Sequence, residues 1–289
     1  MTKPSLRSAL ESGRFVAAPG LHDMISALIA NKVGLDFAYA SGYWLTASAH
    51  GIPDAGIATY TQMLERVSTL CRVSDASIIA DADTGYGGLL NVHHTVRGYE
   101  AAGVVGIQIE DQEFPKKCGH TPGKRVVPLA DMVDKIKVAL EARQSPETLI
   151  IARTDSRQGE GFGDALKRGL AFAEAGADVV FLEALESEQE MRDACRKIRA
   201  PMMANMADGG KTPVRPAAEL KEMGYVMAIY PATTALSAAH AAQNSLMAFK
   251  EHGTSQTPAQ ELFDFHEFNE LIGFPEIWEF ERNWARDKA

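Results

Sequence analysis

The chain has 289 residues, 46% hydrophobic and 23% charged, the balance of a globular protein with a sizeable core. Its formal net charge of −9, from 29 basic and 38 acidic residues, argues against nucleic acid or an anionic membrane surface as the main partner. No apolar run approaches the roughly 20 residues of a membrane span, Met1 to Leu10 lacks the apolar stretch of a secretory signal, and Cys71, Cys118 and Cys195 contain no Cys-x-x-Cys pair. A disulfide framework and a structural zinc site are therefore not expected, and a reducing cytoplasm is the natural home.

Short apolar runs ending in polar residues alternate with amphipathic stretches eight times. In chain order, the run Phe15–Pro19 precedes the helical stretch Met24–Val33, Phe37–Ser41 precedes Thr61–Val73, and Ser77–Asp83 precedes Val92–Ala102. Val104–Asp111 is followed by Leu129–Ala142, Thr148–Asp155 by Ala165–Ala175, and Asp178–Glu183 by Glu188–Ile198. Pro201–Asn205 with Ala217–Met223 and Val226–Pro231 with Thr234–Lys250 complete the set. The runs are rich in Val, Ile, Ala and Phe and read as strands buried on both faces. Gly34, Gly103, Gly176 and Gly224 stand where helices should stop. Two units parallel each other, Tyr99–Glu110 and Phe172–Glu183, each with Ala-Gly before a strand that ends in glutamate.

This pattern predicts one α/β domain, a (β/α)8 TIM barrel over residues 1–255. A doubly wound open sheet also alternates and is the alternative. Residues 256–289 read as a C-terminal helical extension. Its Phe263, Phe265, Phe268, Leu271 and Ile272 must be covered, on the same barrel or on a neighbouring copy.

In such barrels the reacting groups sit at the C-terminal strand ends. The predicted strands finish at Ser41, Asp81 and Asp83, Glu110 and Asp111, Arg153 and Asp155, Glu183, and Asn205. Converging carboxylates repel one another unless a cation joins them, and hard oxygen ligands suit a divalent metal. Strand alternation would aim Asp81 and Asp83 to one side, with Glu110 on the next strand; an ordinary Asp- and Gly-rich turn is the other reading of the same residues. Pro115-Lys-Lys-Cys-Gly-His120 then forms a long loop over the mouth. Lys116, Lys117 and His120 surround Cys118 with positive charge, whereas Cys71 and Cys195 lie in amphipathic helices as small hydrophobes.

Asp81-Ala-Asp-Thr-Gly-Tyr-Gly, Ile109-Glu-Asp-Gln, Lys116-Lys-Cys-Gly-His and Ile151-Ala-Arg-Thr-Asp-Ser-Arg157, in that order, resemble the isocitrate lyase/phosphoenolpyruvate mutase superfamily over essentially the whole chain. Lys-Lys-Cys-Gly-His is a signature of its lyase branch. The resemblance implies a Mg²⁺-dependent carbon–carbon lyase, with Mn²⁺ a possible substitute, acting on a small dicarboxylate through an enolate-like intermediate. It implies metal ligation by Asp83, with Asp81 and Glu110 partly through water. Cys118 becomes the catalytic acid, with Lys116 and His120 in the same catalytic loop. Tyr39 is matched to a proposed base or is a strand residue without acid–base duty. Ser41, Gly42 and Tyr43 would cradle the substrate carboxylate, Arg153 would clamp a carboxylate, and Asp54, Gly119, Glu183 and Asn205 would line the site. A homotetramer with helices exchanged between subunits is also implied.

Among branches, the mutases lack the loop cysteine and the isocitrate lyases proper are much longer. Methylisocitrate lyases carry an arginine after the Tyr-Pro of the last strand and another near the C-terminus. Here Tyr230-Pro231 is followed by Ala-Thr-Thr-Ala-Leu236, and 257–272 has no arginine. Losing two cationic anchors suits a dicarboxylate, and Phe265-His-Glu-Phe-Asn-Glu-Leu resembles the 2,3-dimethylmalate lyase and petal-death branch. A 2-alkylmalate is the expected substrate; oxaloacetate hydrolysis and methylisocitrate cleavage are the alternatives.

Overall fold

The computed structural model describes residues 3–119, 123–257 and 261–285. Its strands are β1 (Val16–Leu21), β2 (Phe37–Ala40), β3 (Ser77–Asp81), β4 (Gly106–Glu110), β5 (Leu149–Thr154), β6 (Val179–Leu182), β7 (Met202–Asn205) and β8 (Met227–Tyr230). Each pairs in parallel with its sequence neighbours, and β8 closes on β1, with Val16 opposite Met227 and Pro19 opposite Tyr230. Closure rules out the open sheet and gives the predicted barrel.

The helices are α1 (Leu6–Glu11), α2 (Met24–Lys32), α3 (Gly42–His50), α4 (Tyr60–Val73), α5 (Leu89–Ala101), α6 (Leu129–Ala142) and α7 (Arg157–Glu160). They continue with α8 (Phe162–Glu174), α9 (Glu188–Lys197), α10 (Ala217–Met223), α11 (Thr233–His252), α12 (Phe265–Leu271) and α13 (Phe274–Trp284). Local chemistry sets several boundaries. Asp23 and Ser26 form a capping box for α2, and Thr59 and Gln62 do the same for α4. The four predicted stop glycines all take a left-handed φ, between 72° at Gly34 and 107° at Gly224.

Alternation along the strands divides the core in two. Val16, Ala18, Phe37, Tyr39, Ile79, Leu149, Ile151, Val179, Phe181, Met203, Met227 and Ile229 fill the barrel, with Leu6 of α1 packed among them. The intervening residues, such as Ala38, Ile78, Ile107, Ile150, Val180 and Met202, face the helices. One more inward step along β2 to β8 therefore reaches the mouth. Those positions are Ser41, Asp81, Glu110, Arg153, Glu183, Asn205 and Pro231.

Among the described residues, no helix is long and apolar enough to cross a membrane. The C-terminal helices do not cover their apolar face on this barrel. No residue of α12 or α13 is buried, and Phe265 and Trp284 are 71% and 73% exposed. Contact with the barrel side includes Lys32 of α2, whose ammonium lies 2.6 Å from Glu267 and 4.9 Å from the centre of the Phe263 ring.

Candidate active site

The strand ends enclose a cavity of about 270 Å³. Tyr39, Ser41, Tyr43, Asp54, Asp81, Glu110, Lys116, Cys118, Gly119, Arg153, Glu183 and Asn205 all line it, so the structure brings nearly every predicted site residue together. His120 lies outside the described residues. Sequence reasoning missed the opposite wall, formed by Trp44, Ala207–Gly210, Ile229, Ala232 and Leu236.

Asp81 ends β3, but Asp83 lies beyond the strand, correcting the expected run to residue 83. Its φ of 50° is left-handed, an uncommon conformation for a residue with a side chain. The turn is fixed by the Asp83 amide, which donates to Asp81 Oδ1 at 2.9 Å. Both carboxylates still converge, by a turn rather than by alternation. A Cβ built on Gly42 would lie 3.0 Å from Asp81 Oδ2 and 3.2 Å from Asp83 Oδ1, so the absence of a side chain there keeps a small space open beside both oxygens.

Asp83 Oδ1 is buried and forms an ion pair with Lys116, whose Nζ lies 2.5 Å away. Burial pushes the Asp83 carboxyl up to about 7, partly offset by Lys116 and reinforced by Asp81 and Asp54. Lys116 is itself buried, with Asp54 Oδ1 also at 2.5 Å. These acids could hold a hard divalent cation. Among the described residues no three potential ligand side chains form a closed cage.

Glu110 is engaged elsewhere. Gln112 Nε2 donates to its Oε1 at 2.9 Å, and Arg153 Nε lies 3.4 Å from its Oε2. Arg153 is the hub of the mouth. Its guanidinium donates to both oxygens of Asp155, at 2.8 and 3.0 Å, approaches Glu183 at 3.2 Å, and rests 5.2 Å from the centre of the Phe181 ring. Asn205 Nδ2 completes this wall by donating to Glu183 Oε2 at 2.9 Å.

Tyr39 donates its hydroxyl to Gln108 Oε1 at 2.8 Å, and Gln108 Nε2 donates to Asp81 Oδ1 at 3.2 Å. Burial, with Asp81 adding to it, pushes the phenol well above its ordinary pKa. In this arrangement Tyr39 is a hydrogen-bond donor at the head of a chain through Gln108 to Asp81. Ser41 immediately precedes α3, whose N-terminal end borders the cavity; the Gly42 amide donates to Asp81 Oδ2 at 3.3 Å.

The loop carrying Cys118 is clasped at its neck. Gln112 pairs with Val126 in an antiparallel bridge, and its side chain holds Lys117 through two bonds of 2.8 and 2.9 Å. Gly119 sits so close to the opposite wall that a Cβ there would lie 2.3 Å from Arg153 Nη2 and 2.9 Å from Glu183 Oε2. Cys118, the residue before it, lines the same cavity.

Burying so many charges at one end of a barrel is a poor route to stability, and the strand-end position is where such folds place their chemistry; the chain is an enzyme. It belongs to the phosphoenolpyruvate mutase/isocitrate lyase superfamily, with the phosphoenolpyruvate phosphomutase family model matching residues 6–250. It is 42% identical over 284 residues to 2,3-dimethylmalate lyase of Eubacterium barkeri, covering 98% of both chains. Identity to 2-methylisocitrate lyase of Bacillus subtilis (strain 168) is 40% over 268 residues, covering 93% of this chain and 88% of the other. A solved structure of oxaloacetate acetylhydrolase with the inhibitor 3,3-difluorooxalacetate superposes with a TM-score of 0.91 at 30% identity, covering 99% of this chain and 97% of the other. The chain is a carbon–carbon lyase, and its family implies a divalent metal.

Proposed function

We propose that the protein cleaves the C2–C3 bond of a 2-alkylmalate such as 2,3-dimethylmalate, giving a 2-oxo acid and a carboxylate. The observation that carries this reading is the mixed lining of the cavity. Alongside its polar and charged side chains the cavity is lined by Trp44, Ile229, Pro231, Ala232 and Leu236, which supply apolar surface. Among the described lining residues the cations are Lys116, Lys117 and Arg153, and two of them are already held by carboxylates. The remaining one, Lys117, donates to the Gly123 carbonyl at 3.1 Å, so a third substrate carboxylate would have to compete for it, whereas an alkyl group would find apolar surface.

Asp83 and Asp81, with Glu110 behind them, would hold Mg²⁺, with Mn²⁺ able to replace it. The bound ion supplies positive charge for the C2 oxygen and its carboxylate. The N-terminal end of α3 at Ser41, Gly42 and Tyr43 orients that carboxylate. Arg153, steadied by Asp155 and Glu183, faces the second carboxylate. The 2-hydroxyl proton passes to water, the oxygen forms the C2 carbonyl as the C2–C3 electron pair moves to C3, and Cys118 protonates that carbon as general acid, its thiolate then regaining a proton from solvent. Lys116 keeps Asp54 and Asp83 compensated, and Tyr39 orients Asp81 through Gln108.

A screen of malates, methylisocitrate and oxaloacetate tests the reading. The expected result is pyruvate from 2,3-dimethylmalate, lost on chelation and restored by Mg²⁺. Oxalate from oxaloacetate, with no malate cleaved, would replace this reading by hydrolysis, the activity that the oxaloacetate acetylhydrolase likeness favours. Pyruvate and succinate from methylisocitrate alone would overturn the argument from missing cations.

We further propose that residues 256–289 pack on a neighbouring copy, in a homotetramer with exchanged helices in the cytoplasm. The exposed aromatic face of α12 and α13 supports this.

A further inference from the structure

Lys124 stands at the far end of the loop that carries Cys118, and none of the roles above uses it. Its side chain is 3% exposed, and its ammonium lies 2.9 Å from Asp155 Oδ1. The same ammonium donates to the backbone carbonyl of Gly119. Asp155 is fully buried and grips Arg153 with both oxygens, so one carboxylate holds the mouth arginine and the loop lysine together. Gly119 in turn lies directly against that arginine.

The neck clasp already closes the loop at Gln112 and Val126, with Glu113 N donating to Arg125 O and Val127 N to Asp111 O, both at 2.8 Å. Loop closure therefore does not need a buried lysine. What the lysine adds is a fixed point in the middle of the loop, at the carbonyl directly after Cys118. Burying an ammonium is costly unless it is paired and hydrogen-bonded, and here the partners are that carbonyl and the anchor of Arg153.

We propose that Lys124 is a positioning residue for Cys118. It seats the Cys118–Gly119 segment on the end of β5 and, through Asp155, ties the place of the thiol to that of Arg153. Its effect on turnover rests on Cys118 being the proton donor; its effect on the exposure of the thiol does not.

The test uses the full chain with Lys124→Met and Lys124→Arg, reading kcat, KM and the rate of iodoacetamide alkylation at Cys118 by peptide mass mapping without substrate. Cys71 and Cys195 will not compete, because burial pushes their thiols up to about 11 and about 12. Losing a charge-assisted bond that positions a reacting group should lower kcat of Lys124→Met by about 10- to 100-fold, with KM within about threefold. Cys118 should alkylate about tenfold faster once its neighbour carbonyl is unseated. Lys124→Arg keeps a charged donor and should recover most of both values. An alkylation rate in Lys124→Met equal to that of the native protein overturns the proposal, whatever happens to kcat. Should the Met variant fail to fold, Lys124→Gln carries the same measurement with the same expected directions. If the native protein cleaves no malate, the lyase reading falls while the alkylation comparison still decides this one.

Discussion

Cys118→Ala is expected to lower kcat by about 10²- to 10⁴-fold, the usual contribution of a positioned general acid, with little change in KM. The reason lies in where the thiol stands. It lines the cavity on a loop held by Gln112, while the Asp81–Asp83 turn is fixed by its own amide and by Gly42. Truncation therefore removes a proton from the reaction and leaves the groups that hold substrate in place. Cys118→Ser should fall nearly as far, because an alcohol is a much weaker acid than a thiol. Steady-state kinetics on 2,3-dimethylmalate decide the matter, with circular dichroism to confirm the fold. A serine variant turning over at the native rate would take the acid role away from Cys118.

Arg153→Met should be the most damaging single change to stability in the mouth. It would leave Asp155, Glu110 and Glu183 buried and facing one another without the guanidinium that now sits among them. Removing one partner of a buried charge cluster costs about 3–5 kcal/mol. For a chain of this size that lowers Tm by roughly 10 °C. The pH dependence has a definite sign. Burial would raise the Asp155 carboxyl, but Arg153 and Lys124 overcome it and hold the group well below the usual carboxylate range. A depressed carboxylate stabilises the fold above its unfolded pKa, about 3.9, and that contribution is lost as pH falls toward the folded value. The gap in Tm between native and variant should be widest near neutral pH and narrow below about pH 4. Calorimetric melts across that range check it; a gap that stays constant would mean that the arginine acts by packing on Phe181 and not by charge.

The barrel was legible in the sequence because both of its periodicities were present: eight buried runs of strand length, and glycines at the helix ends. The strand-end acids were legible for the same reason, since inward parity is set by the strand itself. Asp83 arrived at the right place by a turn that alternation does not describe. The helix α3 was missed because Gly42, Tyr43 and Trp44 give its first turn no helical signature, and the apolar wall was missed with it. Leu236 and Ala207–Gly210 come from a helix start and a loop, where no periodicity tells which way a side chain faces. Gln108 did carry a signal: it is a polar residue on inward parity within an apolar run. Lys124 carried none, because its partner Asp155 is 31 residues away and belongs to the next strand.

The proposed cover for the aromatic face of α12 and α13 would make dilution a denaturing condition in its own right. If a second copy supplies the missing cover, assembly and folding share one equilibrium, and mass action then enters the stability of each subunit. Melting temperature should rise with protein concentration. Activity measured at very low enzyme concentration should decay with time as subunits part, and adding an inert protein should not restore it.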